Sequence, residues 1–145
     1  MKFYSKDNFN PTECISFSIY RARKVIFSEL DKAFSELGIT SQQVGILFAL
    51  ARGMASTPFE LSKVLDVNTA HITRMLDKLQ IGGLLDRRRS LDDRRVVNLV
   101  LTAEGAAMAN RIPEIASVAL NARVEKFSKL EFDELCRLLG KLLRD

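Results

Sequence analysis

Apolar side chains recur every three or four positions from Thr12 to Leu37, at Ile15, Ile19, Ala22, Ile26, Leu30, Ala33 and Leu37, a spacing that puts them on one face of a helix. Gly38 supplies its stop. A second helix is predicted from Thr40, where Gln43 completes a capping box, through Val44, Leu47, Phe48 and Leu50 to Gly53. The third start is sharper, with Thr57 as N-cap, Pro58 in the first turn where its missing N–H costs nothing, and Glu60 as capping-box partner. Leu61, Val64 and Leu65 are the apolar residues of this helix, which is short: Asp66-Val67 reads as a tight turn and Asn68 can cap a fourth helix at once. In the fourth, Ile72, Met75, Leu76 and Leu79 form the apolar stripe and leave Thr69, His71, Thr73, Arg74 and Lys78 on a polar face.

After Gly82-Gly83 the period changes to two extended runs, 84–89 and 96–101, with a polar link between them, which predicts a β-hairpin. The paired glycines are expected to loosen the joint between helix and hairpin. Thr102 can cap a long helix from 103 to about 127, with Met108, Ile112, Ile115, Ala119 and Ala122 at helical spacing, and Pro113 is expected to kink or split it. Ser128 and Glu131 open a last helix with Phe132, Leu135, Leu139 and Leu142 inward.

Length and composition narrow the classes. A chain of 145 residues that is 47% hydrophobic and 28% charged suits one folded domain rather than a disordered tail. Cys14 and Cys136 lack a CxxC partner and His71 is the single histidine, so neither a metal site nor a histidine-assisted hydrolase is expected. No enzyme and no cofactor are predicted. No apolar run reaches the roughly 18 residues of a membrane span, and the opening MKFYSKDNFNP lacks the apolar centre of a signal peptide. A cytoplasmic protein with no membrane partner is the expectation.

Net charge is only +4, so placement matters more than the total. Residues 87–95, RRRSLDDRR, hold five arginines and two aspartates on one short hairpin. Such a loop suits phosphate contacts or a narrow minor groove. The plainer reading is a solvated hairpin with Asp86, Asp92 and Asp93 paired to neighbouring arginines. What tips the balance is chain order: a short helix, a tight turn, a second helix with a polar face and then a basic hairpin is the order of a winged helix that binds DNA.

The segments ELSKVLDVNTAHITRMLDKLQIGGLLDRR and DDRRVVNLVLTAEG resemble the MarR family of bacterial transcriptional regulators over nearly the whole chain. The resemblance implies a mainly α (α+β) fold: a winged helix-turn-helix at 57–102, comprising the helix pair at 57–80 and the wing at 84–102. The helices of 10–56 and 103–145 would form the dimerisation region. It implies a homodimer on a pseudo-palindromic operator of double-stranded DNA, with Asn68, Thr69, Ala70, His71, Thr73, Arg74 and Lys78 on the recognition helix and Arg88, Arg89, Arg94 and Arg95 on the wing. Asp93 is expected to hold the wing in shape by accepting from a nearby arginine. Asp66 stands where many members carry glycine, and Asp tolerates the left-handed backbone such a turn requires.

Most members release DNA when a small phenolic or aromatic carboxylate enters a crevice beside the dimerisation helices. Tyr20, Arg21, Phe48, Met54, Met108 and Arg111 are the residues predicted to wall it. Cys14 offers an alternative signal, because peroxide-sensing members carry a reactive cysteine near the start of the first helix and a helix N-terminus lowers a thiol pKa. Tyr20 lies six residues beyond it, off the register of those sensors. A protein-interaction module that keeps the winged-helix shape without binding DNA is the remaining alternative.

Overall fold

The structure, a computed structural model, describes residues 1–144. Along the chain come α1 (Ile15–Phe34), a single 3-10 turn (Ser35–Leu37), α2 (Ser41–Ala51), α3 (Pro58–Val64), α4 (Thr69–Ile81), β1 (Leu85–Arg89), β2 (Val97–Leu101), α5 (Ala103–Val124) and α6 (Lys129–Leu142). The two strands form an antiparallel hairpin in which Leu85 pairs with Leu101 and Arg89 with Val97. A helix pair followed by this hairpin is the winged helix-turn-helix that the residue pattern predicts.

Capping chemistry sets most of the boundaries. Thr40–Gln43, Thr57–Glu60 and Ser128–Glu131 all close as reciprocal capping boxes. Glu60 goes further, because its carboxylate accepts from the Ser56 N–H at 2.6 Å, the Ser56 hydroxyl and the Thr57 N–H. The two Ser56 donors, then those of Thr57, hold the Glu60 pKa below the ordinary carboxylate range. The stabilisation this gives the entry to α3 is therefore complete near neutrality and is lost as pH falls through the acid range. Thr57→Ala removes one side of the box and is expected to cost about 1 kcal/mol, read as a fall of roughly 3 °C in Tm.

Three helices end alike. In α2, α3 and α4 the residue after the C-cap, Gly53, Asp66 and Gly83, takes positive φ (66°, 52° and 74°). The next N–H then reaches back to a carbonyl five residues earlier: Met54 to Ala49, Val67 to Ser62 and Leu84 to Leu79. Asp66 thus does the work of a glycine, as its tolerance of the left-handed region predicts. Gly82-Gly83 does not loosen the joint to the wing. It forms one of these closures, and Thr102 fastens it by donating its hydroxyl to the Gly83 carbonyl (2.6 Å) and its N–H to that of Leu84 (3.1 Å).

Other boundaries depart from the sequence pattern. Thr12 does not begin α1: Cys14 is its N-cap, and the chain tightens into the 3-10 turn before Gly38. Pro113 does not split α5, which runs through it to Val124. Each strand is one residue shorter than predicted, starting at Leu85 and Val97.

The core gathers beneath the helix-turn-helix. Phe34, Ile46, Leu47, Leu61, Ile72, Leu76, Leu79 and Leu85 are fully buried, and Ala109 and Ile112 bring α5 onto the same cluster. On the other side of α5, Arg123 makes a bidentate pair with Glu29 of α1. Of the glycines, Gly105 is the most closely surrounded, since a Cβ there would stand 1.9 Å from the Leu84 carbonyl oxygen.

The last helix breaks the prediction made for its apolar stripe. Phe132, Leu135, Leu139 and Leu142 do not face inward within the protomer; all are exposed, as is every residue from 125 to 139. Ile15 and Ile19 of α1 are exposed as well. Among the described residues no helix is long and apolar enough to cross a membrane.

Candidate nucleic-acid interface

The polar face of α4 is held outward because its opposite face, Ile72, Met75, Leu76 and Leu79, is locked in the core. Asn68 caps the helix by accepting from the His71 N–H at 2.8 Å, which brings the first turn to the surface with its backbone N–H groups forward. Asn68, Thr69, Ala70, Thr73, Arg74 and Lys78 are exposed. His71 is half-buried: its Nε2 lies 3.1 Å from Gln42 Oε1 of α2, and Arg74 Nη2 lies 3.3 Å from its Nδ1. His71 therefore has partners inside the protein as well as a place on the predicted reading face.

Beside α4, the wing carries Arg88, Arg89, Arg94 and Arg95, all exposed and, among the described residues, in no ion pair. The predicted pairing of Asp86, Asp92 and Asp93 with arginine side chains does not form. Asp93 Oδ1 instead accepts the Arg95 backbone N–H at 3.0 Å, and the Asp93 carbonyl accepts the Val96 N–H at 3.0 Å, so the tip is a turn built around Asp93. Leaving the guanidinium groups unpaired keeps their charge available to an anion.

Arg87 behaves differently from its neighbours, and sequence reasoning did not separate it from them. Its guanidinium reaches back from β1 to α4, donating to Asp77 Oδ1 (2.6 Å), Gln80 Oε1 (3.1 Å) and the Thr73 carbonyl (3.2 Å). The signal was available: Asp77 and Gln80 are one turn apart on α4, and Arg87 alternates in β1 to the side opposite Arg88. From the other side, the Leu99 N–H of β2 donates to the Ser56 carbonyl at 2.8 Å, so the wing is fixed to both ends of the helix pair.

The six residues predicted to wall an effector crevice are not brought together. Tyr20 and Arg21 share a groove along α1, but Phe48 and Met108 pack on the edge of the core, and Met54 and Arg111 are exposed. Instead, Tyr20, Arg23, Lys24, Phe27, Thr40 and Gln42 border a groove of about 750 Å³ between α1 and the start of α2. A smaller crevice of about 360 Å³ adjoins it, where Arg23, Phe27 and Gln42 meet Asp66, His71 and Met75 of the helix-turn-helix. The Arg23 guanidinium lies 4.7 Å from the Phe27 ring centre.

Cys14 is buried, with Sγ 3.2 Å from the Pro11 carbonyl and 3.0 Å from Ser16 Oγ. The Ser16 hydroxyl, then the Phe17 N–H, hold its thiol below the ordinary range. Next to it, the Tyr4 hydroxyl accepts the Ile15 N–H at 2.9 Å, so the N-terminal arm lies on the start of α1. Among the described residues, no three His, Cys, Asp or Glu side chains gather as metal ligands.

An exposed polar helix face and an unpaired basic hairpin, braced as one surface beside a two-helix turn, define a winged-helix DNA-binding protein. The chain belongs to the MarR family, whose model matches residues 39–97. The multiple antibiotic resistance protein MarR of Escherichia coli strain K12 is 34% identical over 109 residues, covering 75% of this chain and 74% of that one. A crystal structure of a mutant MarR from E. coli complexed with operator DNA superposes with a TM-score of 0.83 at 29% identity, covering 92% of this chain and 97% of that one. The Mycobacterium tuberculosis MarR family protein Rv2887, in complex with salicylic acid, gives a TM-score of 0.71 at 26% identity over 94% of this chain and 98% of that one. Members of the family are non-enzymatic DNA-binding transcription factors, which makes this chain a transcription regulator and not an enzyme.

Proposed function

We propose that the protein is a homodimeric, cytoplasmic repressor that grips a pseudo-palindromic operator with two copies of the α4–wing surface and lets go when a small aromatic carboxylate binds. The observation that carries the DNA reading is the set of unpaired cations on that surface: Lys78, Arg88, Arg89, Arg94 and Arg95 make no ion pair among the described residues, although Asp86, Asp92 and Asp93 lie close in the chain. Asn68, Thr69, Ala70, Thr73 and Arg74 choose the sequence in the major groove, with His71 behind Arg74 on the same face, while the wing arginines hold phosphate or enter the minor groove. Asp93 keeps the wing turn in shape without touching DNA.

The exposed apolar face of α6 supports the dimer, and a two-fold pair would place two reading heads about one helical turn apart on DNA. The groove beside Arg23, Lys24 and Phe27 supports an anionic aromatic effector, with cations for a carboxylate and a ring wall for its plane. Salicylic acid bound to Rv2887 points to the same ligand class. Cys14 plays no part in this reading, because its sulfur is buried.

A mobility shift on the DNA upstream of the protein's own gene tests the proposal. The parent should bind with affinity that falls steeply with salt, and salicylate should release it. In the Arg94→Ala, Arg95→Ala double variant, affinity at 0.15 M salt should drop at least about 100-fold. The log–log salt slope should shrink by about 0.9 for each phosphate that the variant no longer neutralises. A slope identical to the parent's would remove the wing from the DNA-binding surface and favour an interaction module.

A further inference from the structure

Among the described residues, Arg74 is the one long cation on the outer face of α4 that is not left free, and its partner leads back into the protein. An arginine has only donors, so the 3.3 Å approach of Arg74 Nη2 to His71 Nδ1 requires Nδ1 to accept. A neutral ring then carries its proton on Nε2 and donates to Gln42 Oε1 at 3.1 Å. One tautomer satisfies both contacts, which gives a directed chain from Arg74 through His71 to Gln42. Gln42 sits in the first turn of α2, flanked by the buried Gln43 and one turn from the fully buried Ile46. The chain therefore ties a surface guanidinium to a helix anchored in the core by Ile46, Leu47 and Ala49.

The chemical advantage is preorganisation. A free arginine side chain carries roughly 2 kcal/mol of rotamer entropy that is surrendered when it docks on a base. One already held by a hydrogen bond surrenders less, so more of its contact energy appears as affinity and discrimination. We propose that His71 and Gln42 are positioning residues for Arg74, holding its guanidinium ready for base contact, rather than DNA contacts in their own right. This rests on the α4 surface being the DNA-reading face.

Gln42→Leu breaks the chain at its far end without altering α4, and Gln42 is exposed, so the variant should fold with its Tm unchanged. Its affinity for the parent's upstream operator should fall about fivefold, the worth of one hydrogen bond, while affinity for unrelated DNA stays level. In an Arg74→Ala background the same change should have no further effect. His71→Phe, which removes both bonds, should match Gln42→Leu. His71→Asn, which keeps an acceptor near Nδ1 but loses the bond to Gln42, should match it too.

Equal losses from Gln42→Leu with and without Arg74, or equal losses on operator and unrelated DNA, would overturn the positioning role while leaving the DNA-reading surface intact. Absence of operator binding by the parent would instead overturn that surface, and this inference with it.

Discussion

Leu135→Glu with Leu139→Glu is expected to convert the proposed dimer to a monomer, measured by light scattering after size exclusion, and to abolish operator binding with it. Phe132, Leu135, Leu138, Leu139 and Leu142 fall within one arc of α6, and all are exposed in the protomer. A helix with a well-formed capping box at its start and no residue buried along it has its own local signals but little tertiary packing in the protomer. Packing supplies most of the stability of a helix this short, so a partner surface is needed. Each leucine removed from a buried seam forfeits about 2 kcal/mol, before the cost of placing a carboxylate there. Two-fold symmetry doubles the number to four leucines per dimer, or about 8 kcal/mol, enough to weaken association by five to six orders of magnitude. The α4–wing head should keep its fold, because none of its core lies on α6. A variant that stayed dimeric at micromolar concentration would show that α6 is not the seam.

Gly105→Ala is expected to be the most destabilising single methyl addition in the chain. Thr102 caps α5 by accepting the Gly105 N–H at 3.1 Å, and the same residue fastens the carbonyls of Gly83 and Leu84. The first turn of α5 is thereby pulled onto the start of β1 so closely that a Cβ would lie 1.9 Å from the Leu84 oxygen and 2.9 Å from its carbon. Both obstacles are backbone, so no rotamer change relieves them. Strain of about 3 kcal/mol follows, a drop of roughly 10 °C in Tm by calorimetry. The contrast is Gly140→Ala, where nothing lies within 4 Å and helix propensity alone should make the change neutral or mildly stabilising. Equal melting temperatures for the two variants would contradict the close approach.

Local signals were the most legible in the sequence. Capping boxes, the left-handed Asp66 and the apolar stripe of α4 each depend on residues within one turn of one another, and each forms where the spacing puts it. What the spacing does not encode is which surfaces meet. The stripe on α6 is correct as a helical face, yet periodicity has no term for whether the covering partner is in the same chain. Tyr20, Arg21, Phe48, Met54, Met108 and Arg111 had suitable chemistry on suitable helices but do not line one groove within the protomer, and the grooves that do form draw Tyr20 together with Arg23, Phe27 and Gln42, or Arg23, Phe27 and Gln42 with the helix-turn-helix.

At the predicted DNA-binding surface, exposure followed the pattern at every recognition-helix position except His71. Its half-burial depends on the approach of α2, twenty-nine residues away in sequence. Within the arginine run, composition alone could not separate Arg87, which is engaged with α4, from Arg88, which is not. Pro113 is a different case: the sequence predicts a break or bend, and the helix continues through it.

The three hydrogen bonds of Arg87 make a rivet between the helix proposed to enter the groove and the hairpin beside it. A riveted head has no independent finger to curl or extend. In the proposed effector-responsive dimer, what a bound effector would alter is the stance of the whole head against its twin, the stride between two feet rather than the grip of either. Control by such a lever needs little motion at the hinge, since a small rotation there sweeps a larger arc at the wing tip. In that proposed dimer, loosening Arg87 would uncouple signal from response even where operator and effector both still bound.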